Sequence, residues 1–216
     1  MKRRILHMLT SLMCIAMMFA VHMDMVSASS VMGKTVIVDA GHGGHNPGAV
    51  ANGSIEADNN LAVAMLLADK LKEAGAKVVL TRDTDRAVAQ EVSSLREELQ
   101  ARVDIAEQNQ GDLFVSIHSN SNENTKVYGA MTFYHNDASK RLAETVQKNL
   151  VYRTKANDKG VQTAGFYVLR HTSMPSILVE MGFVSNPQEA KLLRESSYRL
   201  KLANGIYEGI EEYFRG

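Results

Sequence analysis

The sequence predicts an α/β domain: a mostly parallel sheet of about five or six strands with helices on both faces. Short apolar runs such as Lys34–Asp39, Leu113–His118 and Ser176–Met181 recur along the chain. Between them lie segments whose apolar residues are spaced by three and four, the period of a helix buried on one side. Runs and helical segments alternate, the pattern of a parallel sheet covered on both faces. At 216 residues the chain suffices for one domain with a core of ordinary size. No internal repeat, low-complexity stretch or long linker separates a second one.

The chain opens with Lys2, Arg3 and Arg4, then a mostly apolar run from Ile5 to Val21, then Val26-Ser27-Ala28. A basic start, an apolar centre and small residues at a cleavage position predict a signal peptide over residues 1–28, cut after Ala28. Uncut, the same segment is a membrane anchor; either way the rest of the protein is exported. Cys14, the sole cysteine, lies inside this segment. The mature chain then has no thiol, which excludes disulfides and cysteine catalysis. Removing Lys2, Arg3, Arg4 and Asp24 from 24 basic and 24 acidic residues leaves 21 against 23, a net charge of −2. That balance excludes nucleic acid and anionic membrane surfaces as evident partners.

Lys34–Asp39 reads as the first strand. Glu56–Ala74 reads as a helix, with Leu61, Met65, Ala68 and Leu71 on one face and Gly75 closing it. Lys77–Thr81 is the second strand. Leu95, Leu99, Val103 and Ala106 mark a helix that stops near Gly111, and Leu113–His118 and Ala130–Tyr134 are strands three and four. Leu142, Val146 and Leu150 place a helix before Lys155–Gly165, which reads as a polar loop. Ser176–Met181 is a buried fifth strand, and Ala203, Ile206, Ile210 and Tyr213 mark the last helix. Ala28–Gly33, Ala87–Ser94 and Asn157–Thr163 read as the least ordered parts, because polar residues there show no period.

Ligands of open α/β sheets gather beyond the carboxyl ends of the strands. His42 lies just past strand one, His118 ends strand three and Glu180 lies near the end of strand five. Glu56 opens the helix that follows strand one and faces the same edge. Topology therefore brings four residues distant in sequence to one site. Two imidazoles and a carboxylate can hold one catalytic zinc ion with a position open for water, and a further carboxylate can move the proton of that water. The residue types alone leave open which glutamate takes which part. Glu56 has a second explanation, since an acidic residue in a first helical turn is favoured by the helix dipole. Gly41, Gly43 and Gly44 let the backbone pass close to a ligand, and Asp39 is placed to hold a ligand imidazole from behind. His45 reads as a solvent-facing loop residue, and His135 and His171 as surface or rim residues. The Arg96-Glu97-Glu98 cluster reads as a solvated helix face; the direction of Arg102 is left open. The Gly-His-Gly-Gly turn lacks the spacing and lysine of a nucleotide-binding loop.

At these residues the sequence resembles the zinc-dependent N-acetylmuramoyl-L-alanine amidases, whose catalytic domain occurs in bacterial autolysins and sporulation amidases. The resemblance runs from about Lys34 to Phe214 and places a catalytic domain over residues 34–214. It rests on Asp39–Gly44 (DAGHGG), Ser116–Asn120 (SIHSN) and Val179–Asn186 (VEMGFVSN). By resemblance His42, Glu56 and His118 are the zinc ligands and Glu180 is the catalytic residue. The implied reaction is hydrolysis of the amide between N-acetylmuramic acid and the L-alanine of the peptidoglycan stem peptide. Ala40 stands where the family often has proline, and Asn46 where it usually has aspartate. Wall-binding repeats have no room here. Targeting is thus expected from the catalytic groove, an unidentified activator or targeting partner, or a retained anchor, and the protein is expected to be a monomer. Two rival readings are a catalytically silent wall-binding module and a zinc peptidase cutting within the stem peptide.

Overall fold

A computed structural model describes residues 28–89 and 94–216. Residues 1–27 of the expected signal peptide, and 90–93 of the Ala87–Ser94 stretch, lie outside the described residues.

The elements follow in the order β1 (Thr35–Ala40), β2 (Val50–Ala51), β3 (Ser54–Ile55), α1 (Glu56–Glu73), β4 (Lys77–Leu80), α2 (Leu95–Gln108) and β5 (Leu113–Asn120). Next come β6 (Ala130–Tyr134), α3 (Asp137–Thr154), β7 (Asp158–Thr163), α4 (Tyr167–His171), β8 (Ser176–Phe183), α5 (Pro187–Arg194) and α6 (Ser196–Arg215). Six strands form one sheet in the order β4-β1-β5-β8-β6-β7, and β2 and β3 form a separate hairpin. β4, β1, β5 and β8 run parallel, β6 is antiparallel to β8, and β7 is parallel to β6. The mostly parallel sheet read from the sequence is therefore present.

The order contains the reason for the site's position. From β1 the chain crosses through α1 to β4 on one side, then through α2 to β5 on the other side of β1. Right-handed crossovers in opposite directions put their helices on opposite faces. The reversal opens a crevice at the carboxyl ends of β1 and β5, the switch point where such sheets bind ligands.

The faces are covered unequally. Val36, Val38, Val115, Ile117, Ile177 and Val179 point to one face, where α1, α3 and α6 bury them in the main core. The packing of α3 on α6 is close enough that a β-carbon added at Gly209 would lie 2.4 Å from the Cα of Val146. Ile37, Phe114 and Leu178, which alternate with that set, point to the other face under the smaller cover of α2 and α4. On strands buried this way each step of two keeps the same face. Asp39, Ser116, His118 and Glu180 thus continue the thinly covered face toward its carboxyl edge.

Several expectations need correction. Lys155–Gly165 is not a loop, and Asn157–Thr163 is not irregular, because they contain β7. That strand lies at the sheet edge, pairs only with β6 and is half-exposed, so nothing requires it to be apolar. Ala28–Gly33 is a turn fastened to α6: Ser29 Oγ donates to Glu211 Oε1 at 2.6 Å, Ser30 Oγ to Glu211 O at 2.6 Å, and Val31 is fully buried. The hairpin and the short helices α4 and α5 carry too few residues to show a period. α5 does carry an end signal, Asn186 capping it with Pro187 at its start.

Candidate metal and catalytic site

The turn after β1 delivers the first imidazole. His42 has φ of 62°, in the left-handed region unusual for a residue with a side chain. Such a conformation persists only where its surroundings enforce it, and here two buried guanidinium groups do so. Arg82 Nε donates to Ala40 O at 2.9 Å and its Nη2 to Gly41 O at 3.0 Å. Arg102 Nη1 donates to Ala40 O at 2.8 Å and its Nη2 to His42 O at 2.9 Å. The turn that carries His42 is thereby held by its carbonyl oxygens.

Glu56, His42 and His118 meet. Glu56 Oε1 lies 3.2 Å from His42 Nε2 and 3.0 Å from His118 Nδ1, and one ligand atom from each residue lies within 4.8 Å of the others. The carboxylate is held by backbone: Ala49 N donates to Oε2 at 2.9 Å and Ser119 N to Oε1 at 3.2 Å. The dipole explanation therefore does not exhaust Glu56. Burial pushes its pKa up, but the hydrogen-bonded imidazoles of His118 and His42 outweigh this and leave it well below the usual carboxylate range. Burial pulls His42 down, and Glu56 and Asn46 outweigh that and raise it.

Asn46, one of the departures noted in the sequence, sets the tautomer of His42. Its Oδ1 accepts from Gly48 N at 3.1 Å, which points the amide oxygen toward the ring; His42 Nδ1 lies 3.1 Å from the same oxygen. Nδ1 therefore donates to Asn46, and Nε2 is the nitrogen that faces Glu56: with its hydrogen it donates to that carboxylate, and on losing it offers a lone pair to a metal. A neutral nitrogen, a second imidazole nitrogen and a carboxylate oxygen on rigid elements match the donor set of a catalytic zinc site with a position left open.

Glu180 comes to the same place from β8, where it pairs in register with His118 on β5. It is buried, and its Oε2 has no hydrogen-bond partner. Burial, with the charge of Glu56 adding to it, raises its pKa from 4.5 to about 8. An unsatisfied buried oxygen is costly unless a ligand or water completes it. A raised carboxyl pKa beside a cluster of ligands is the mark of a group that moves protons.

A cavity of about 330 Å³ brings these four residues together. They form one wall; Leu99, Phe166, Val168 and Leu178 form an apolar wall from α2, α4 and β8. Such a site can take a polar bond at the cluster while apolar atoms on either side exclude water.

Other expectations are revised. Asp39 holds no imidazole: Oδ1 accepts from Thr81 Oγ1 at 2.7 Å and Arg102 Nη1 at 2.6 Å, and Oδ2 from Ser116 Oγ at 2.6 Å. It anchors the arginine instead of the ligand. Arg102 does turn inward, settling the open question. Glu98 is no part of a solvated face, because it is buried, receives Arg102 Nη2 at 2.8 Å and accepts from Val88 N at 2.9 Å and Ala89 N at 2.8 Å. Arg96 and Glu97 are exposed as read, as are His45, His135 and His171. Arg82 was not foreseen. Its only signal is an arginine placed directly after Thr81 at the carboxyl edge of β4, a position where a charge needs a reason.

A family model described as N-acetylmuramoyl-L-alanine amidase matches residues 36–212. The Bacillus subtilis (strain 168) protein YqiI is 42% identical over 192 residues, covering 87% of this chain and 88% of the relative. N-acetylmuramoyl-L-alanine amidase LytC of the same organism is 39% identical over 189 residues, covering 86% of this chain and 36% of the longer relative. The structure of the CwlD amidase from Clostridioides difficile, solved in complex with the GerS lipoprotein, superposes with a TM-score of 0.81 at 38% identity. It covers 85% of this chain and 99% of that one.

Proposed function

This chain belongs to the N-acetylmuramoyl-L-alanine amidase family and is a peptidoglycan hydrolase of that class, and we propose that His42, Glu56 and His118 hold one zinc ion while Glu180 carries the proton. The bond cleaved is the amide between N-acetylmuramic acid and the L-alanine of the stem peptide. The observation that supports the division of labour is the contrast between the two carboxyl groups. Glu56 is held ionised between two imidazoles, as a ligand must be, whereas Glu180 stands with a free buried oxygen and a raised pKa.

When bound, zinc polarises the carbonyl under attack and acidifies water beside it. With the positive charge of zinc offsetting that of Glu56, Glu180 would ionise and accept the proton that water loses on attack. The water oxygen bonds to the lactyl carbonyl carbon, the carbon–nitrogen bond breaks, and Glu180 returns the proton to the departing alanine nitrogen. His42 and Glu56 keep their geometry through the turn bonds described above, so the reacting groups meet without reorganisation. The apolar wall of Leu99, Phe166 and Val168 keeps bulk water from the bond.

In the same reading residues 1–28 direct export, residues 34–214 are the catalytic domain, and the protein acts at the cell wall. The basic, apolar and small-residue order of the first segment supports this, as does the wall substrate of the family. Among the described residues no helix is long and apolar enough to cross a membrane. All four site residues come from one chain, so the proposed site is complete without a second copy.

Mass spectrometry of sacculi digested by the purified protein tests the bond assignment. The expected products are intact stem peptides with free L-alanine amino termini and glycan with free lactyl carboxylates. New termini between amino acids, with alanine still bound to glycan, would replace the amidase by a stem-peptide peptidase. No release at all would leave a wall-binding module.

A further inference from the structure

We infer that Asn60 is a positioning residue for the metal site, a single buried amide that ties together the three segments carrying His42, Glu56 and His118. The inference rests on the reading of those three residues as ligands. Asn60 stands four residues after Glu56 on α1, so both lie on the same helical face one turn apart. Its Nδ2 donates to Gly41 O at 3.2 Å, the residue before His42, and its Oδ1 accepts from Ser119 Oγ at 3.1 Å, the residue after His118. Asn60 and Ser119 are fully buried. Ser119 is bound twice to this face, since its backbone N–H also donates to Glu56 Oε1.

The bridge crosses the tightest point of the site. Gly41 N donates to Ile117 O at 3.0 Å, and a β-carbon added to Gly41 would lie 2.2 Å from His118 Nε2. The turn of His42 and the strand end of His118 are therefore bound to each other, and Asn60 fixes both to the helix that carries the third ligand. An amide suits this place because it donates to one turn and accepts from the other at once. A carboxylate would lose the donor and face the Gly41 carbonyl with like partial charge; a hydroxyl is too short to span both. Groups that orient metal ligands from behind in this way affect affinity by about 10–100-fold.

The test measures zinc affinity by competition with a chromophoric chelator, alongside the melting temperature of the metal-free protein, for wild type, Asn60→Leu, Asn60→Asp and Ser119→Ala. Asn60→Leu and Asn60→Asp are expected to weaken zinc by about 10–100-fold, and Ser119→Ala by less because one arm remains. The double variant Asn60→Leu/Ser119→Ala should lose less than the product of the single losses, because both act through one bridge. A merely structural role predicts lower melting temperatures with zinc affinity within twofold of wild type; that result overturns the inference. Should Asn60→Leu fail to fold, Ser119→Ala decides alone by the same twofold criterion. A wild-type protein that binds no zinc would overturn the ligand assignment itself, a failure separate from loss of the Asn60 effect.

Discussion

His118 and Glu180 occupy one register position on adjacent parallel strands, β5 and β8. Side chains at paired positions leave the same face of a sheet about 4.8 Å apart, so the proposed ligand and the proposed proton carrier become neighbours through strand pairing alone. The arrangement puts a buried carboxyl beside the acidic Glu56, and burial together with that charge raises the pKa of Glu180 to about 8.

That placement has a measurable cost in stability. The folded-state pKa of Glu180 lies near 8, against an ordinary value of 4.5. A raised acid favours folding below its unfolded value, and the contribution is lost as pH rises toward the folded one. The metal-free wild type should lose stability relative to Glu180→Gln between pH 5 and 8, on the order of a few kcal/mol. Urea titrations of chelator-treated protein at the two pH values check this; parallel behaviour of the two proteins would contradict the burial of an ionisable group at that position.

Gly41→Ala separates site geometry from folding. Its backbone lies outside the left-handed region, so alanine is compatible with the chain there, but the new methyl group would meet the His118 imidazole. The ring is the free end of a side chain and can swing aside at small cost to the fold, only by leaving Glu56. Melting temperature should change little while zinc affinity falls at least tenfold. Retained affinity in a folded variant would show that His118 does not need its present position.

Asp39 supports the site from below. Burial pushes its pKa up, but Arg102 and the hydroxyls of Ser116 and Thr81 outweigh this and hold it below 3.8. Asp39→Asn leaves Arg102 buried with only Glu98 as its anion and should destabilise by about 3 kcal/mol at neutral pH. A depressed acid contributes stability above its unfolded pKa and loses it as pH falls through the folded one. The gap between wild type and Asp39→Asn should therefore close as pH drops below 3.8, as followed by chemical denaturation.

Gly209→Ala serves as the opposite control. The methyl group would press α6 against the backbone of α3 at Val146, and such overpacking costs about 1–3 kcal/mol. The melting temperature should fall with zinc affinity unchanged, because neither helix carries a ligand.

How far the sequence could be read depended on whether a residue's role was local or relayed. His42, His118 and Glu180 announce themselves because each terminates an apolar run at the edge where ligands collect. Glu56 did not: an acid at a helix start is common, and its ligand role came from family resemblance until the carboxylate was seen between two imidazoles. The roles of Arg82, Arg102 and Asp39 are not legible because their partners are distant in sequence: Arg82 is held by the carbonyls of Ala40, Gly41 and Ala57, and Arg102 by Asp39. Asp39 and Arg102 are 63 residues apart, and a charge run such as Arg96-Glu97-Glu98 gives no sign that its third member turns inward. β7 escaped because an edge strand can be polar, and α4 because five residues are too few for a period.

Measuring zinc content and amide hydrolysis together on purified Glu180→Gln tests the division of roles most directly. The account predicts one zinc per chain, as in wild type, with release of L-alanine amino termini from sacculi reduced by about 10²–10⁴-fold. Hydrolysis at the wild-type rate would contradict Glu180 as the proton carrier, and loss of the zinc would return Glu180 to the ligand set.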